Sequence, residues 1–230
     1  MAREIAEKIF LLELPDPSSN AYLLGRNILV DPGFSTEKQL ESELEEAGTA
    51  LYEVETIFLT HSHADHSSNA RFIPQATVCA HPKAVERLKG KELRETAFNM
   101  FGVEALPNEK FEELSEGCKM SIERSSMAQT SAKTPMLTES GAFSLQTLFT
   151  PGHTDDAVCF YESKTKTLFC GDTLFVGGVP RIFGGGSREA LLGSWEKIGE
   201  KCAGARLVCT GHGPLSENLS KELEYSRRTL

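Results

Sequence analysis

Thr56-Ile57-Phe58-Leu59-Thr60-His61-Ser62-His63-Ala64-Asp65-His66 joins an apolar, β-branched run to a cluster of metal-ligating side chains. The run Thr56–Thr60 reads as a strand buried on both faces. Three imidazoles and a carboxylate follow within six residues, where that strand ends. There, neutral ring nitrogens and an anionic oxygen can converge on a cation with no helix between them. Imidazole suits zinc and iron, and a carboxylate adds charge and hardness. The competing reading is a polar surface loop, but three of the chain's six histidines lie in this one stretch.

Outward from this stretch the same arrangement recurs. Phe149-Thr150-Pro151-Gly152 runs into His153, Leu168-Phe169-Cys170-Gly171 into Asp172, and Val208-Cys209-Thr210-Gly211 into His212. Alone, each strand-end His or Asp is more often a hydrogen-bonded structural residue. Together they predict donors from two sheets meeting along one edge, which makes a preformed cleft. His81 follows a predicted strand at Ala76–Ala80 and precedes Pro82, so it reads as a turn residue and not a ligand.

The remaining pattern supplies the frame. Ile9–Leu12, Ala21–Leu24 and Asn27–Val30 read as strands, the last closing on Asp31-Pro32-Gly33. Thr36 and Gln39 match a capping box for a helix to about Ala47, and Gly48 can stop it. Helices are also predicted at Lys83–Leu88, Glu92–Met100, Ser187–Ile198, and after a Ser216 cap with Leu219 and Leu223 on its buried face. Phe143–Phe149, Ala157–Tyr161, Thr167–Cys170 and Leu207–Cys209 complete the strands. Arg124–Ser140, rich in Ser and Thr, reads as a long loop. This order predicts two sheets with helices outside them.

Composition narrows the class. With 40% apolar and 25% charged residues among 230, the chain is globular and long enough to fold without a structural metal or disulfide. A net charge of −9 with no dense basic run opposes a nucleic-acid partner. The first eight residues lack an apolar signal-peptide core, and no stretch of about 18 apolar residues suggests a membrane span. The six cysteines form no C-x-x-C pair, so a reduced, cytoplasmic setting is expected.

At this point the chain resembles the metallo-β-lactamase superfamily. Its H-x-H-x-D-H signature is matched by His61, His63, Asp65 and His66, and its later motifs by His153, Asp172 and His212. The resemblance spans Asp31-Pro32-Gly33 to Gly211-His212-Gly213. It implies an α/β (α+β) fold, a four-layer αββα sandwich of two mixed sheets with the metal site at one edge. It implies one domain over residues 1–230, with a helical or loop insertion at about 90–140. By the same resemblance His61, His63 and His153 hold one divalent metal, and Asp65, His66 and His212 the second. Asp172 bridges them, and Asp31 orients a ligand histidine. Two metals, zinc first and iron or manganese as alternatives, would share a hydroxide that attacks a carbonyl, with Asp65 and Asp172 as the catalytic carboxylates.

Gly171-Asp172-Thr173-Leu174-Phe175-Val176-Gly177-Gly178 followed by Arg181 is similar to glyoxalase II, which hydrolyses thioesters. The structural alternative is that these glycines only form tight turns beside the site. Glyoxalase II carries a glutathione-binding helical domain after its last histidine, whereas 18 residues follow His212 here. The resemblance therefore implies thioester chemistry on a small acyl substrate without implying glutathione, and it leaves monomer or homodimer open. Met100, Met120, Met127 and Met136, with Phe98 and Phe101, would suit an acyl pocket or simply pack their segment onto the core. The rival reactions are a persulfide dioxygenase with one iron at His61, His153 and Asp172, and a lactonase on the same two metals.

Overall fold

The computed structural model describes residues 1–90, 95–103, 106–122 and 143–230. The first sheet contains β1 (Arg3–Ala6), β2 (Ile9–Leu12), β3 (Ala21–Leu24), β4 (Ile28–Val30), β5 (Thr56–Phe58), β6 (Thr77–Ala80) and β7 (Phe111–Glu113), in that order. The second contains β8 (Lys119–Ile122), β9 (Phe143–Phe149), β10 (Val158–Glu162), β11 (Thr167–Gly171) and β12 (Leu207–Thr210), ordered β12-β11-β10-β9-β8. Both sheets are mixed. β1 to β4 are antiparallel neighbours, β4 to β7 run parallel, and in the second sheet only β11 and β12 are parallel.

The helices are α1 (Glu37–Glu46), α2 (Ala64–Ser67), α3 (Pro82–Gly90), α4 (Phe98–Phe101), α5 (Arg188–Lys201) and α6 (Leu219–Thr229). Thr36 caps α1 in the predicted capping box: it accepts from the Gln39 amide, and the Gln39 side chain accepts from the Thr36 amide.

Strand alternation sorts the buried side chains into three cores. Tyr22, Leu24, Ile28, Val30 and Phe58 of the first sheet meet Leu145, Val158, Phe160, Phe169 and Cys209 of the second. Edge-to-face rings cross this core at 5.3 Å (Tyr22–Phe169) and 5.2 Å (Phe58–Phe160). Leu23, Leu29, Ile57 and Leu59 point the other way, against Leu40, Leu44, Val85 and Leu88 of α1 and α3. Leu168, Cys170 and Val208 likewise face Leu191, Trp195, Ile198 and Leu223 of α5 and α6. The layers are thus α, β, β, α, as the resemblance implies.

Trp195 is fully buried, and its indole N–H donates to the Thr173 carbonyl at 2.7 Å. Trp195→Ala is expected to cost about 3–5 kcal/mol in chemical denaturation, from lost burial plus the cavity left behind.

Three expectations need correction. Asn218, not Ser216, caps α6 by accepting from the Lys221 amide. Ser216 bridges to Val208 and donates to Glu222 instead, because its backbone still extends the strand edge. The helix expected at Glu92–Met100 is helical only from Phe98 among the described residues, since Ala97 sits in the left-handed region at φ 60°. Residues 92–94 of that expectation, and the Arg124–Ser140 loop, lie outside the described residues. The loosely patterned 90–140 segment also supplies β7 and β8, an edge strand for each sheet.

Candidate metal centre

The parallel strands β4, β5 and β6 end at one edge, and β9, β11 and β12 end at the matching edge of the second sheet. Two backbone bonds stitch these edges together, from the Val158 amide to the Thr60 carbonyl (2.7 Å) and from Asn20 to Gly211 (2.6 Å). Asp31, His61, His153, Asp172 and His212 each follow a strand that ends here. The short helix α2 turns Asp65 and His66 back toward the same point, leaving His63 at its N-terminus.

All seven predicted donors converge. His61, His63 and His153 form one group, Asp65, His66 and His212 another, and Asp172 groups with His61 and His66 between them. Within each group the donor atoms lie within 4.8 Å of one another. His61, His66, His153 and Asp172 are buried, while His63, Asp65 and His212 are part-exposed, so the site opens on their side.

Hydrogen bonds fix the ring tautomers. A carboxylate only accepts, so His66 Nδ1 donates to Asp31 at 2.8 Å. The Thr60 hydroxyl donates to Asp31 at 2.6 Å and therefore accepts from His61 Nδ1 at 3.2 Å. His153 Nδ1 donates to the Arg181 carbonyl at 2.6 Å. Each ring then turns its Nε2 inward. His61 Nε2, His66 Nε2 and Asp172 Oδ1 are buried with no hydrogen-bond partner. Asp172 lies 3.4 Å from His66 Nε2, 3.6 Å from His153 Nε2 and 3.9 Å from His212 Nε2. Asp65 accepts from His212 Nε2 at 3.1 Å.

Burial, reinforced by neighbouring imidazoles, pushes the His61 pKa well down, and burial also lowers that of His153. Burial with His153 beside it takes His63 down to about 4. At His66 burial also favours the neutral form, but the carboxylates of Asp172, Asp31 and Asp65 outweigh it and hold its pKa well above 6.5. Burial opposes ionisation of Asp65 and Asp172, yet the adjacent His66 and His212 keep both carboxyls below their ordinary range. The centre thus sets His61, His63 and His153, held neutral, and a protonated His66 against ionised Asp65 and Asp172; imidazole and carboxylate together are the donor chemistry of a divalent cation.

His81 stands apart, as expected: its Nδ1 accepts from the Lys83 amide at 3.1 Å, and its ring stacks 4.3 Å from Phe149. Phe98 is buried in the helix-side core, Phe101 packs on Phe34 at 4.9 Å, and Met120 packs against the intersheet core. These three follow the packing reading and not the acyl-pocket one. Met100 is exposed, and Met127 and Met136 lie outside the described residues. Burial raises the Cys159 thiol to about 11 and the Cys79 and Cys202 thiols to about 12, which makes them inert at neutral pH.

The sequence reading missed Thr60, Asn20, Tyr22 and Phe183. Asn20 and Tyr22 both donate to the Thr210 carbonyl, at 3.0 and 2.6 Å, and so hold the turn that carries His212. The exposed Phe183 ring stands 5.7 Å from His63 and 5.5 Å from His153, at the open rim. No local pattern announces these roles, because each depends on a partner more than twenty residues away or on a carbonyl.

Comparison with known proteins agrees with this architecture. The profile of the metallo-β-lactamase superfamily matches residues 14–212, and the chain belongs to that superfamily. It is 39% identical over 83 residues to the "Probable metallo-hydrolase YqgX" of Bacillus subtilis (strain 168), covering 36% of this chain and 39% of that protein. It is 29% identical over 201 residues to a hydroxyacylglutathione hydrolase of Synechococcus sp. (strain JA-2-3B'a(2-13)), covering 87% of this chain and 62% of that one. The chain thus spans less than two thirds of either relative. The protein TTHA1623, solved in a di-iron-bound form, superposes with a TM-score of 0.69 at 26% identity, over 94% of this chain and 98% of that one. Among the described residues no helix is long and apolar enough to cross a membrane.

Proposed function

We propose that this chain is a hydrolase that holds two divalent metal ions, zinc foremost, and cleaves a thioester of a small acyl substrate. The observation that carries this reading is the convergence of two donor groups on either side of Asp172. A buried polar atom left without a partner costs about 1–3 kcal/mol. Three such atoms, His61 Nε2, His66 Nε2 and Asp172 Oδ1, meet here, so the residues present fit cations. His61, His63 and His153 would hold one ion and Asp65, His66 and His212 the other, with Asp172 reaching both. When bound, two such ions supply a nucleophilic hydroxide at neutral pH and a Lewis acid for the carbonyl oxygen.

The chain's own residues supply orientation. Asp31 and Thr60 lock His66 and His61 with Nε2 inward. Asp65, on the open side beside His212, would hold and orient the attacking hydroxide by hydrogen bond. Phe183 stands at the open rim beside His63 and His153, where a substrate would meet it. The thioester assignment draws on the hydroxyacylglutathione hydrolase relative and on the Gly171–Gly178 stretch; a lactone uses the same machinery.

The test is metal content per chain, on protein purified without added metal, followed by a thioester and lactone panel. Two ions per chain with thioester turnover support the reading. One iron with oxygen uptake on a persulfide replaces it with the dioxygenase, and no metal after reconstitution overturns it.

The charge pattern predicts how uptake depends on pH. His63, with its pKa near 4 against 6.5 unfolded, contributes stability to the metal-free chain above pH 6.5, and this is lost as pH falls through about 4. His66 has the opposite sign: its contribution is complete below pH 6.5 and is lost as pH rises through its raised pKa. A cation must displace the His66 proton. Uptake at pH 7 should therefore release about one proton per chain, and affinity for the His66 group should rise about tenfold per pH unit. An indicator-dye titration checks this; uptake without proton release would mean that His66 starts neutral.

A further inference from the structure

Outside the donor groups, a dense charged cluster surrounds Arg87 on α3. Its side chain is only 11% exposed, and each guanidinium nitrogen faces a different carboxylate. Nε donates to Glu95 at 2.8 Å, Nη2 to Asp155 at 2.7 Å, and Nη1 lies 3.3 Å from Asp156. Lys83 adds a second cation to Asp155 at 2.6 Å. Asp156 is fully buried, and its Oδ2 also accepts from the Ser62 amide at 3.2 Å. Ser62 lies between His61 and His63, while Asp155 and Asp156 follow His153 by two and three residues.

One guanidinium therefore ties together the two chain segments that deliver His61, His63 and His153, which are some ninety residues apart in sequence. Its third arm reaches Glu95, next to Thr96, whose carbonyl accepts from the Ala64 amide at 2.7 Å. The other donor group has separate supports: Asp31 on His66, and Asn20 and Tyr22 on the turn before His212. The planar fork of arginine can serve three carboxylates at once, which the point charge of lysine cannot.

We propose that Arg87, acting through Asp156 and Asp155, is a positioning residue for the His61, His63 and His153 group alone. The inference rests on the two-metal reading given above. Substitutions of residues that orient metal ligands typically weaken metal affinity roughly 10–100-fold. Here the loss should fall on one of the two ions.

The test titrates metal-free wild type, Arg87→Lys and Asp156→Asn with cobalt(II) against a chromophoric chelator, following the cobalt spectrum and the unfolding of the metal-free protein. Asp156→Asn keeps the side-chain shape and an oxygen for the Ser62 amide, so it carries the test if Arg87→Lys fails to fold. Wild type should bind two ions. Each folded variant should keep one with unchanged affinity and lose roughly 10–100-fold on the other, with an altered spectrum for that step only. Two unchanged steps, or equal weakening of both, would overturn the inference while leaving the two-metal reading standing. A wild type that takes up no cobalt overturns both.

Discussion

Asp172→Ala is expected to lose metal and turnover together. Asp172 belongs to neither triad but groups with one member of each, His61 and His66, and its Oδ1 is buried without a hydrogen-bond partner. Removing it deletes the anion that links the two halves and leaves His66 with fewer carboxylates to balance it. Metal ions contribute several kcal/mol of transition-state charge stabilisation. A loss of about 4 kcal/mol corresponds to a roughly thousandfold fall in kcat/KM. Asp172→Asn keeps the shape and removes the charge, so it should fall nearly as far. The checks are bound metal after dialysis and steady-state kinetics on the same preparation. Normal turnover with two ions retained in Asp172→Ala would sink the two-metal proposal.

The second large effect comes from a residue with no side chain. A Cβ on Gly211 would lie 2.2 Å from Asp172 Oδ1 and 2.6 Å from His66 Cε1, closer than real Cβ atoms come. Both neighbours are buried and His66 is held by Asp31, so the clash is not relieved cheaply. Gly211→Ala should drive Asp172 and His66 apart, destabilise the chain by about 1–3 kcal/mol, and release metal without removing a donor atom. Gly193 on α5 makes the control, because a Cβ there meets nothing within 4 Å. Gly193→Ala should instead raise stability by about 1 kcal/mol through helix propensity. Chemical denaturation and metal retention, measured side by side, separate the two. A Gly211→Ala protein that keeps its metal would mean the β12 turn is softer than its packing implies.

The donors were legible because their chemistry is written locally. An apolar run that ends in Gly and then His or Asp states both the strand and the group at its tip; three such endings placed His153, Asp172 and His212, and the run Thr56–Thr60 leads directly into His61. The Thr36 and Gln39 box fixed the start of α1 for the same reason, since both partners lie within one turn. Ser216 misled because Asn218, two residues on, offers an equally good cap. Only the antiparallel bridge to Val208 keeps Ser216 extended. The 90–140 segment hid β7 and β8 because edge strands bury little and so show weak alternation.

By itself the sequence determined most of the strand-and-helix order, though not β1, β7 or β8, together with the seven candidate donors and the acidic balance of the chain. These follow from side-chain type and short-range period. Only the tertiary structure shows which candidate donors come within reach of one another, which ring nitrogen faces inward and what holds each ring there. Those depend on contacts such as Asp31 with His66, Asn20 with Thr210, and Arg87 with Asp156. Each joins residues 35 to 190 positions apart or, for Arg87 and Asp156, 69. No local propensity encodes such a distance; it is set when two sheets close on a common core.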